Sequence, residues 1–526
     1  MGSYLNPGSK KFCESLNSLI YVDKSGLIEK TNAYISTKQK YLCLSRPRRF
    51  GKTMAADMLA AYYGSGEDTH ALFTGLKIAE KPSYETHLNK YNVVQVNMQE
   101  FLSMTHSVDE MLEKLQKYIT FDLQDDYPGV RLRDPENLIQ SMKDVYTQTN
   151  RQFIILIDEW DCLFREYKND NESQRKYLDF LRLWMKDQAY VALAYMTGIL
   201  PIKKYGTHSA LNMFMEFSMT DCGELAEYFG FTEDEVKALC GEYRMNFEEA
   251  KAWYDGYELT EKGRTHAMYS PKSVVEAMMR GEYGPYWIQT ETYEALKVYI
   301  QMNYDGLKEA VVKMLAGVSI PISTGTFSND MTTFARRDDV LTLLVHLGYL
   351  TYDVHTASVS IPNKEVSQEY VNAISTMESW GEVMRSVEAS KKLLESLWEM
   401  DEAAVAEALD RAHEEISILK YNDENSLSCA INLAFYFAKE YYTVIRELPT
   451  GKGFADICLI PRKLYADKPA VIIELKKDRS AKGAIDQIRE RHFVKALEDY
   501  RGNLLLCGIN YDEEKKHTCL IEKLEM

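Results

Sequence analysis

Two groups of residues, far apart in the chain, have the types and spacing that chemistry on phosphate requires. The first is Gly51-Lys52-Thr53, which follows an apolar run at residues 41–45 and precedes a helical pattern over residues 54–63. A strand, a Gly-Lys-Thr turn and a helix in that order aim backbone N–H groups and a helix N-terminus at phosphate, with Lys52 on the terminal phosphates and the Thr53 hydroxyl on Mg²⁺. Alone, this half-motif reads equally as a phosphate site or a basic turn, because Arg46 stands where the general pattern has its first glycine. The run at residues 153–157, which ends in Asp158-Glu159, favours the phosphate site. A buried strand that brings Asp158 to Mg²⁺ through water and Glu159 to an attacking water completes a nucleotide-hydrolysing set. The loop arginines, Arg46 among them, would add charge-assisted contacts to phosphate. Thr197 follows the run at residues 191–196, where a polar residue could sense the last phosphate; a turn or helix cap explains it nearly as well.

The second group is Asp456, Glu474 and Lys476. Residues 441–446, 454–460 and 470–476 read as strands separated by turns, so Glu474 and Lys476 share one face and a neighbouring strand sets Asp456 beside them. Two carboxylates and a backbone carbonyl, that of Leu475, make a hard oxygen site suited to Mg²⁺, with Lys476 left to orient or deprotonate a water. The same triplet pattern at Glu235, Glu249 and Glu513 lies in helical or tail contexts. Glu474 differs because it ends an apolar β run, where unpaired charge is costly to bury. A structural Glu-Lys ion pair at a sheet edge is the competing explanation. Residues 481–500 follow as a helical pattern carrying Gln487, Arg489, Arg491 and Lys495.

The elements that must position these groups occupy a chain of 526 residues, too long for one hydrophobic core. The N-terminal part alternates short apolar runs (41–45, 92–97, 153–157, 191–196) with longer helical patterns, which predicts a parallel sheet covered by helices. From residue 224 the spacing is helical with no comparable strand. Residues 338–347, then Gly348 and two β-like runs, predict a winged-helix-like unit. Residues 367–420, rich in Ala, Glu, Leu and Met, predict a helical spacer. The boundaries expected are 1–222, 223–325, 326–375, 376–418 and 419–526.

With 45% hydrophobic and 27% charged residues, the composition excludes wholesale disorder. No run approaches a membrane span, the start is polar, and the nine cysteines are scattered without a C-x-x-C pair, so a reducing cytoplasm is the expected setting with no membrane partner. A net charge of −17 argues against bulk electrostatic coating of nucleic acid. Residues 462–501 nevertheless hold 11 Lys and Arg against 7 Asp and Glu, a local +4 that serves a solvated helix face or a phosphate-contacting surface equally.

Several stretches together resemble one family, prokaryotic proteins with an AAA-ATPase-like N-terminal domain and a C-terminal PD-(D/E)XK nuclease domain. They are residues 21–24, 44–53, 156–159, 197–200, 253–257, 348–351, 361–366, 453–456 and 474–476, spread over nearly the whole chain. The resemblance implies an α/β multidomain protein: a P-loop NTPase parallel sheet, a helical lid and winged-helix-like middle, and a restriction-endonuclease-like α/β domain. It implies that Gly51, Lys52 and Thr53 hold the phosphates and Mg²⁺ of ATP, with Asp158 and Glu159 as the Walker B pair. Asp456, Glu474 and Lys476 become the nuclease core, taking Mg²⁺ or Mn²⁺. Glu424 is implied as a further metal ligand, and Gln487 as the glutamine on the helix after the core. Phe454 departs from relatives that carry a basic or small residue there.

The expected activity is ATP binding and hydrolysis that controls Mg²⁺-dependent cleavage of DNA, RNA being open as a substrate. The alternatives are a nucleotide-dependent switch whose nuclease-like domain only binds nucleic acid or partners, and a DNA-remodelling ATPase. The last requires a homo-oligomer with an arginine donated in trans.

Overall fold

The computed structural model describes residues 2–202, 211–287, 293–302, 304–328, 331–415, 431–450, 453–462, 465–490, 500, 502–512 and 516–524. The chain forms two compact units, Met1–Thr292 with Pro321–Gln368 and Tyr293–Ile320 with Glu369–Met526. Among the described residues no helix is long and apolar enough to cross a membrane.

The first unit is organised by a five-stranded sheet of β1 (Tyr41–Ser45), β2 (Asn92–Asn97), β3 (Phe153–Asp158), β4 (Val191–Gly198) and β5 (Met215–Phe217) in the order β2-β3-β4-β1-β5. Every pairing in it is parallel. Strands β1, β3 and β4 are buried along their whole length, which is why they read as continuous apolar runs and not as alternations. β4 lies between β1 and β3, with Ser45 opposite Gly198 and Ile157 opposite Met196. The carboxyl ends of β1, β4 and β3 therefore finish side by side, the crevice where open α/β sheets bind ligands. Helix α1 (Lys52–Tyr63) returns from that edge, and the short helix α2 (Cys162–Glu166) follows β3.

Beyond residue 224 the structure departs from the purely helical expectation. A small sheet of β6 (Phe231–Thr232), β7 (Tyr257–Glu261) and β8 (Arg264–Tyr269), ordered β6-β8-β7, stands beside α3 (Glu233–Tyr243) and α4 (Pro271–Arg280). The period-two signal in β7 is only Tyr257 and Leu259 inward around an exposed Glu258, too short to register against the helical patterns on either side. Helix α5 (Arg337–Leu347) is followed by an antiparallel hairpin of β9 (Thr351–Asp353) and β10 (Ser358–Ser360), the expected helix and wing.

Two motifs that carry no evident chemistry interlock here. Asn363 Nδ2 donates to the Asp255 carbonyl at 2.9 Å, and Lys364 Nζ stands 4.2 Å from the Trp253 ring centroid. The Tyr257 hydroxyl donates to the Gly348 carbonyl at 2.8 Å, and its ring meets Phe50 edge-on at 5.2 Å. Trp287 Nε1 donates to the Arg48 carbonyl at 3.4 Å. Residues 253–257 and 361–366 thus brace the back of the Gly-Lys-Thr loop. The Glu365 carboxyl holds Trp287 in turn, accepting from its backbone N–H at 2.6 Å and from the Ser273 hydroxyl at 2.8 Å.

The second unit is built on a five-stranded mixed sheet, β11 (Tyr442–Thr450), β12 (Gly453–Pro461), β13 (Ala470–Lys477), β14 (Leu504–Tyr511) and β15 (His517–Lys523), in that spatial order. Only β13 and β14 pair in parallel, and α8 (Ala481–Glu490), the helix between them, makes the crossover. Helices α6 (Gly381–Trp398) and α7 (Glu402–Glu415) precede the sheet. They do not stand apart as a spacer. Their amphipathic faces need burial, and Leu393, Leu397, Val405 and Leu409 find it against Ile473, Leu505 and Ile509. The edge strand β15, absent from the sequence-based expectation, is held to α7 by Asp410, which accepts the His517 N–H at 2.7 Å.

Burial raises the pKa of the Glu365 carboxyl from 4.5 to about 7, against the lowering effect of the Trp287 N–H and the Ser273 hydroxyl. The folded chain therefore holds this proton more tightly than the unfolded chain does. The stability it contributes is complete below about pH 4.5 and is lost as pH rises through about 7. Glu365→Gln is expected to match wild type in melting temperature at pH 5 and exceed it at pH 8, by the equivalent of roughly 3 kcal/mol at most. Thermal denaturation at both pH values checks this.

Candidate functional site

Gly51 caps α1 with φ +89°, a left-handed conformation, and open space lies where its side chain would be. Glycine is required there because a Cβ would strain the backbone and fill the approach to the helix N-terminus. Lys52 is buried, its Nζ donating to the carbonyls of Arg46 and Pro47 at 3.0 Å each, so the loop curls around its own ammonium. Burial pulls the pKa of Lys52 down, and the charges of Glu159 and Asp158 oppose it.

Asp158 is the meeting point of three elements. Its Oδ2 accepts from the Thr53 hydroxyl of α1 at 2.7 Å, and its Oδ1 accepts from the Thr197 hydroxyl of β4 and from the Glu159 N–H at 3.0 Å. The structure therefore brings Gly51, Lys52, Thr53, Asp158, Glu159 and Thr197 together. Thr197 touches Asp158 from the intervening strand; any role in sensing the nucleotide would pass through that carboxylate. Glu159 takes φ +52°, strained for a non-glycine residue, and its carboxylate is ion-paired with Arg165. Burial raises the pKa of Glu159, while Arg165 and Lys52 oppose the shift.

Arg46 is a correction to the expected phosphate contact. Its side chain is fully buried, and Nη1 donates to the carbonyls of Ser45 at 2.9 Å and Phe217 at 3.0 Å. The guanidinium also lies 5.9 Å from the Phe229 ring centroid, and burial lowers its pKa to about 10. It is turned inward, held by those two carbonyls. Arg48 and Arg49, both exposed, supply the loop's outward charge.

A cavity of about 850 Å³ lies against this loop. Arg48, Arg49, Lys52, Thr53 and Glu159 line it, together with apolar side chains from the N-terminal segment (Phe12, Ile20, Val22) and from the region after residue 228 (Phe231, Val275, Met279). Its size and its mix of phosphate-seeking and apolar walls suit a nucleotide. These apolar walls were invisible to motif reading, since nothing in their spacing marks a base pocket. The Thr53 hydroxyl and the Asp158 carboxylate are hard oxygen donors beside a phosphate cradle and fit Mg²⁺.

In the second unit, Asp456 of β12 accepts the Leu475 N–H of β13 through Oδ2 at 2.7 Å, which sets its carboxylate across from Glu474. Glu474 is 2% exposed; its Oε1 accepts from Lys476 Nζ at 2.8 Å and from Gln487 Nε2. Gln487 reaches it because α8 lies close on β14, where a side chain on Gly508 would meet the Ala481 carbonyl at 2.2 Å. Asp456, Glu474, Lys476 and Gln487 therefore converge as expected. Among the described residues no cluster of three His, Cys, Asp or Glu forms, so the donors at hand are two carboxylates and the Leu475 carbonyl, a hard set that fits Mg²⁺ or Mn²⁺. Glu424, Arg491 and Lys495 lie outside the described residues. Arg489 pairs with Glu522 across to β15.

Residues 11–207 match the family described as predicted AAA-ATPase, and residues 423–520 match the PD-(D/E)XK nuclease superfamily. An uncharacterized protein in the vnfD 5′ region of Azotobacter chroococcum mcd 1 is 26% identical over 285 residues, covering 52% of this chain. The alignment covers 51% of that protein, so the chain spans about half the length of the curated relative it matches. Among solved structures, the ORC2 protein of Aeropyrum pernix in ADPNP–ADP complexes aligns at 10% identity with a TM-score of 0.31, over 70% of this chain and 98% of that one. The Aeropyrum pernix ORC1 protein in complex with DNA aligns at 11% identity with a TM-score of 0.27, over 71% and 98%.

The geometry separates the loop arginines. Arg46→Ala is expected to lower stability by roughly 3 kcal/mol, since it opens a cavity and strips two buried carbonyls of their donor. The double variant Arg48→Ala, Arg49→Ala, at two exposed positions, is expected to melt with wild type. Thermal denaturation of both variants beside wild type checks this.

Proposed function

We propose that this chain, an AAA-ATPase-like domain joined to a PD-(D/E)XK nuclease superfamily domain, binds and hydrolyses ATP with Mg²⁺ and uses its nucleotide state to control a metal-dependent DNA endonuclease. The observation that carries the nucleotide half is the convergence of Thr53 and Thr197 on Asp158 beside Lys52. In this reading Gly51 and the N-terminus of α1 cradle the phosphates, and Lys52 leaves the Arg46 and Pro47 carbonyls for the terminal phosphates. Thr53 and Asp158 would hold Mg²⁺, and Glu159 orients the attacking water and takes its proton.

The nuclease half rests on a buried Glu474 gripped by Lys476 and Gln487, with Asp456 across the strand pair. Asp456, Glu474 and the Leu475 carbonyl would hold Mg²⁺ or Mn²⁺, which supplies Lewis-acid stabilisation of charge on the phosphodiester and a more acidic water. Lys476 would orient that water, and Gln487 holds the Glu474 carboxylate in place through Oε1.

Two variants separate the halves. Glu474→Ala is expected to abolish cleavage of plasmid and linear DNA in Mg²⁺ or Mn²⁺ and to leave ATP turnover within about twofold of wild type. Lys52→Ala is expected to abolish ATP binding and any effect of ATP on cleavage. Loss of ATP turnover in folded Glu474→Ala, or cleavage that persists in it, would contradict this division.

A further inference from the structure

Glu159 faces two openings. It lines the nucleotide-sized cavity with Lys52 and Thr53, and it also lines a polar cleft of about 590 Å³ walled by Arg48, Asn97, Gln99, Arg165 and Glu166. At that border its carboxylate Oε2 accepts from Arg165 Nη2. Arg165 borders the cleft and, among the described residues, is absent from the wall of the nucleotide cavity. It is well anchored. Its Nε stands 3.5 Å from Asp161 Oδ2, and that oxygen is fixed by the N–H groups of Ile199 at 3.0 Å and Leu200 at 2.8 Å.

On the reading that Glu159 is the group that orients and deprotonates the attacking water, we infer that Arg165 is a positioning residue that latches Glu159 and throttles basal ATP hydrolysis. A carboxylate oxygen that already accepts a charge-assisted hydrogen bond is a poorer acceptor for a water proton, and the pair holds the carboxylate toward the cleft. The backbone of Glu159 is itself fixed, at φ +52° with its N–H donated to Asp158, so the ion pair acts on a carboxylate carried by a held peptide. Release has a route. Arg165 can swing into the cleft, where Glu166 and Glu100 stand on the wall to receive a guanidinium; Glu166 is occupied now only by Gln99 Nε2, at 2.6 Å, among the hydrogen bonds described. An arginine serving the phosphates directly would have to reach into the nucleotide cavity, and Arg165 is directed the other way.

The test is steady-state hydrolysis of Mg-ATP by the full chain, comparing wild type with Arg165→Gln, Arg165→Lys and Glu159→Gln. Arg165→Gln is expected to raise kcat about tenfold with KM changed less than about twofold. Arg165→Lys retains a charge beside Asp161 but loses the fork and is expected to fall between wild type and Arg165→Gln. A merely structural arginine would lower kcat or move KM, and neither would recover in this order. If Arg165→Gln does not fold, a kcat of Arg165→Lys above wild type supports the latch, and one at or below wild type overturns it. Glu159→Gln separates the two layers. Wild-type turnover in it removes the assignment of Glu159 and the latch together; a dead Glu159→Gln beside an Arg165→Gln at or below wild type overturns the latch alone.

Discussion

The Gly-Lys-Thr end of the first unit is arranged around a buried carboxylate. Asp158 ends an apolar strand at 4% exposure, and a carboxylate placed there needs donors or a cation. The fold brings it donors from three directions: a hydroxyl from the helix after the Gly-Lys-Thr turn, a hydroxyl from the neighbouring strand, and the next peptide N–H. That arrangement depends on β4 lying between β1 and β3. Had β1 and β3 been neighbours, Thr197 would lie outside the site and the carboxylate would lose one of its three donors. Strand order, more than any single residue type, turns the scattered motifs into a site.

Much of this was legible because Asp158 ends a fully buried strand and Glu474 follows a buried apolar run within β13, so that in each case a charged residue breaks a continuous apolar run. Asp158-Glu159 after residues 153–157, and Glu474 and Lys476 after residues 470–473, stand out for that physical reason. Residues that act through long-range packing left no such signal. Arg46 reads as one more loop arginine, and only the tertiary fold shows it turned toward the Phe217 carbonyl. Arg165 lies on a short helix with ordinary spacing, and its pairing with Glu159 depends on the turn that Asp158 and Asp161 enforce. The strands of the β6-β8-β7 sheet were hidden because they are short and lie among stronger helical periodicities, and α6 and α7 read as a spacer because an amphipathic pattern does not say what it packs against.

The two sites solve the problem of buried charge differently. In the first unit a carboxylate is satisfied chiefly by hydroxyls and backbone, which leaves it neutral donors that a cation can displace or join. In the second, Glu474 is met by an ammonium and an amide on one oxygen, so its charge is already partly balanced before any metal arrives. The braces behind the Gly-Lys-Thr loop belong to a third kind of contact. Phe50 against Tyr257 and the Arg48 carbonyl on Trp287 are packing and single hydrogen bonds, weak enough to rearrange if the loop moves.

The path of the chain carries an evolutionary consequence. Residues 293–320 belong with the second unit, yet they lie between two stretches of the first. A gene fusion or recombination event at one breakpoint can append or exchange a domain only when that domain is a single segment. Joining a foreign C-terminal partner after Gln368 would leave residues 293–320 stranded without the surface they pack on, and beginning the exchange before Tyr293 would remove Gly348 and Glu365, which brace the phosphate loop. The connectivity therefore makes exchange of the second unit at a single breakpoint costly, because any cut removes either a segment which that unit packs or residues that brace the Gly-Lys-Thr loop.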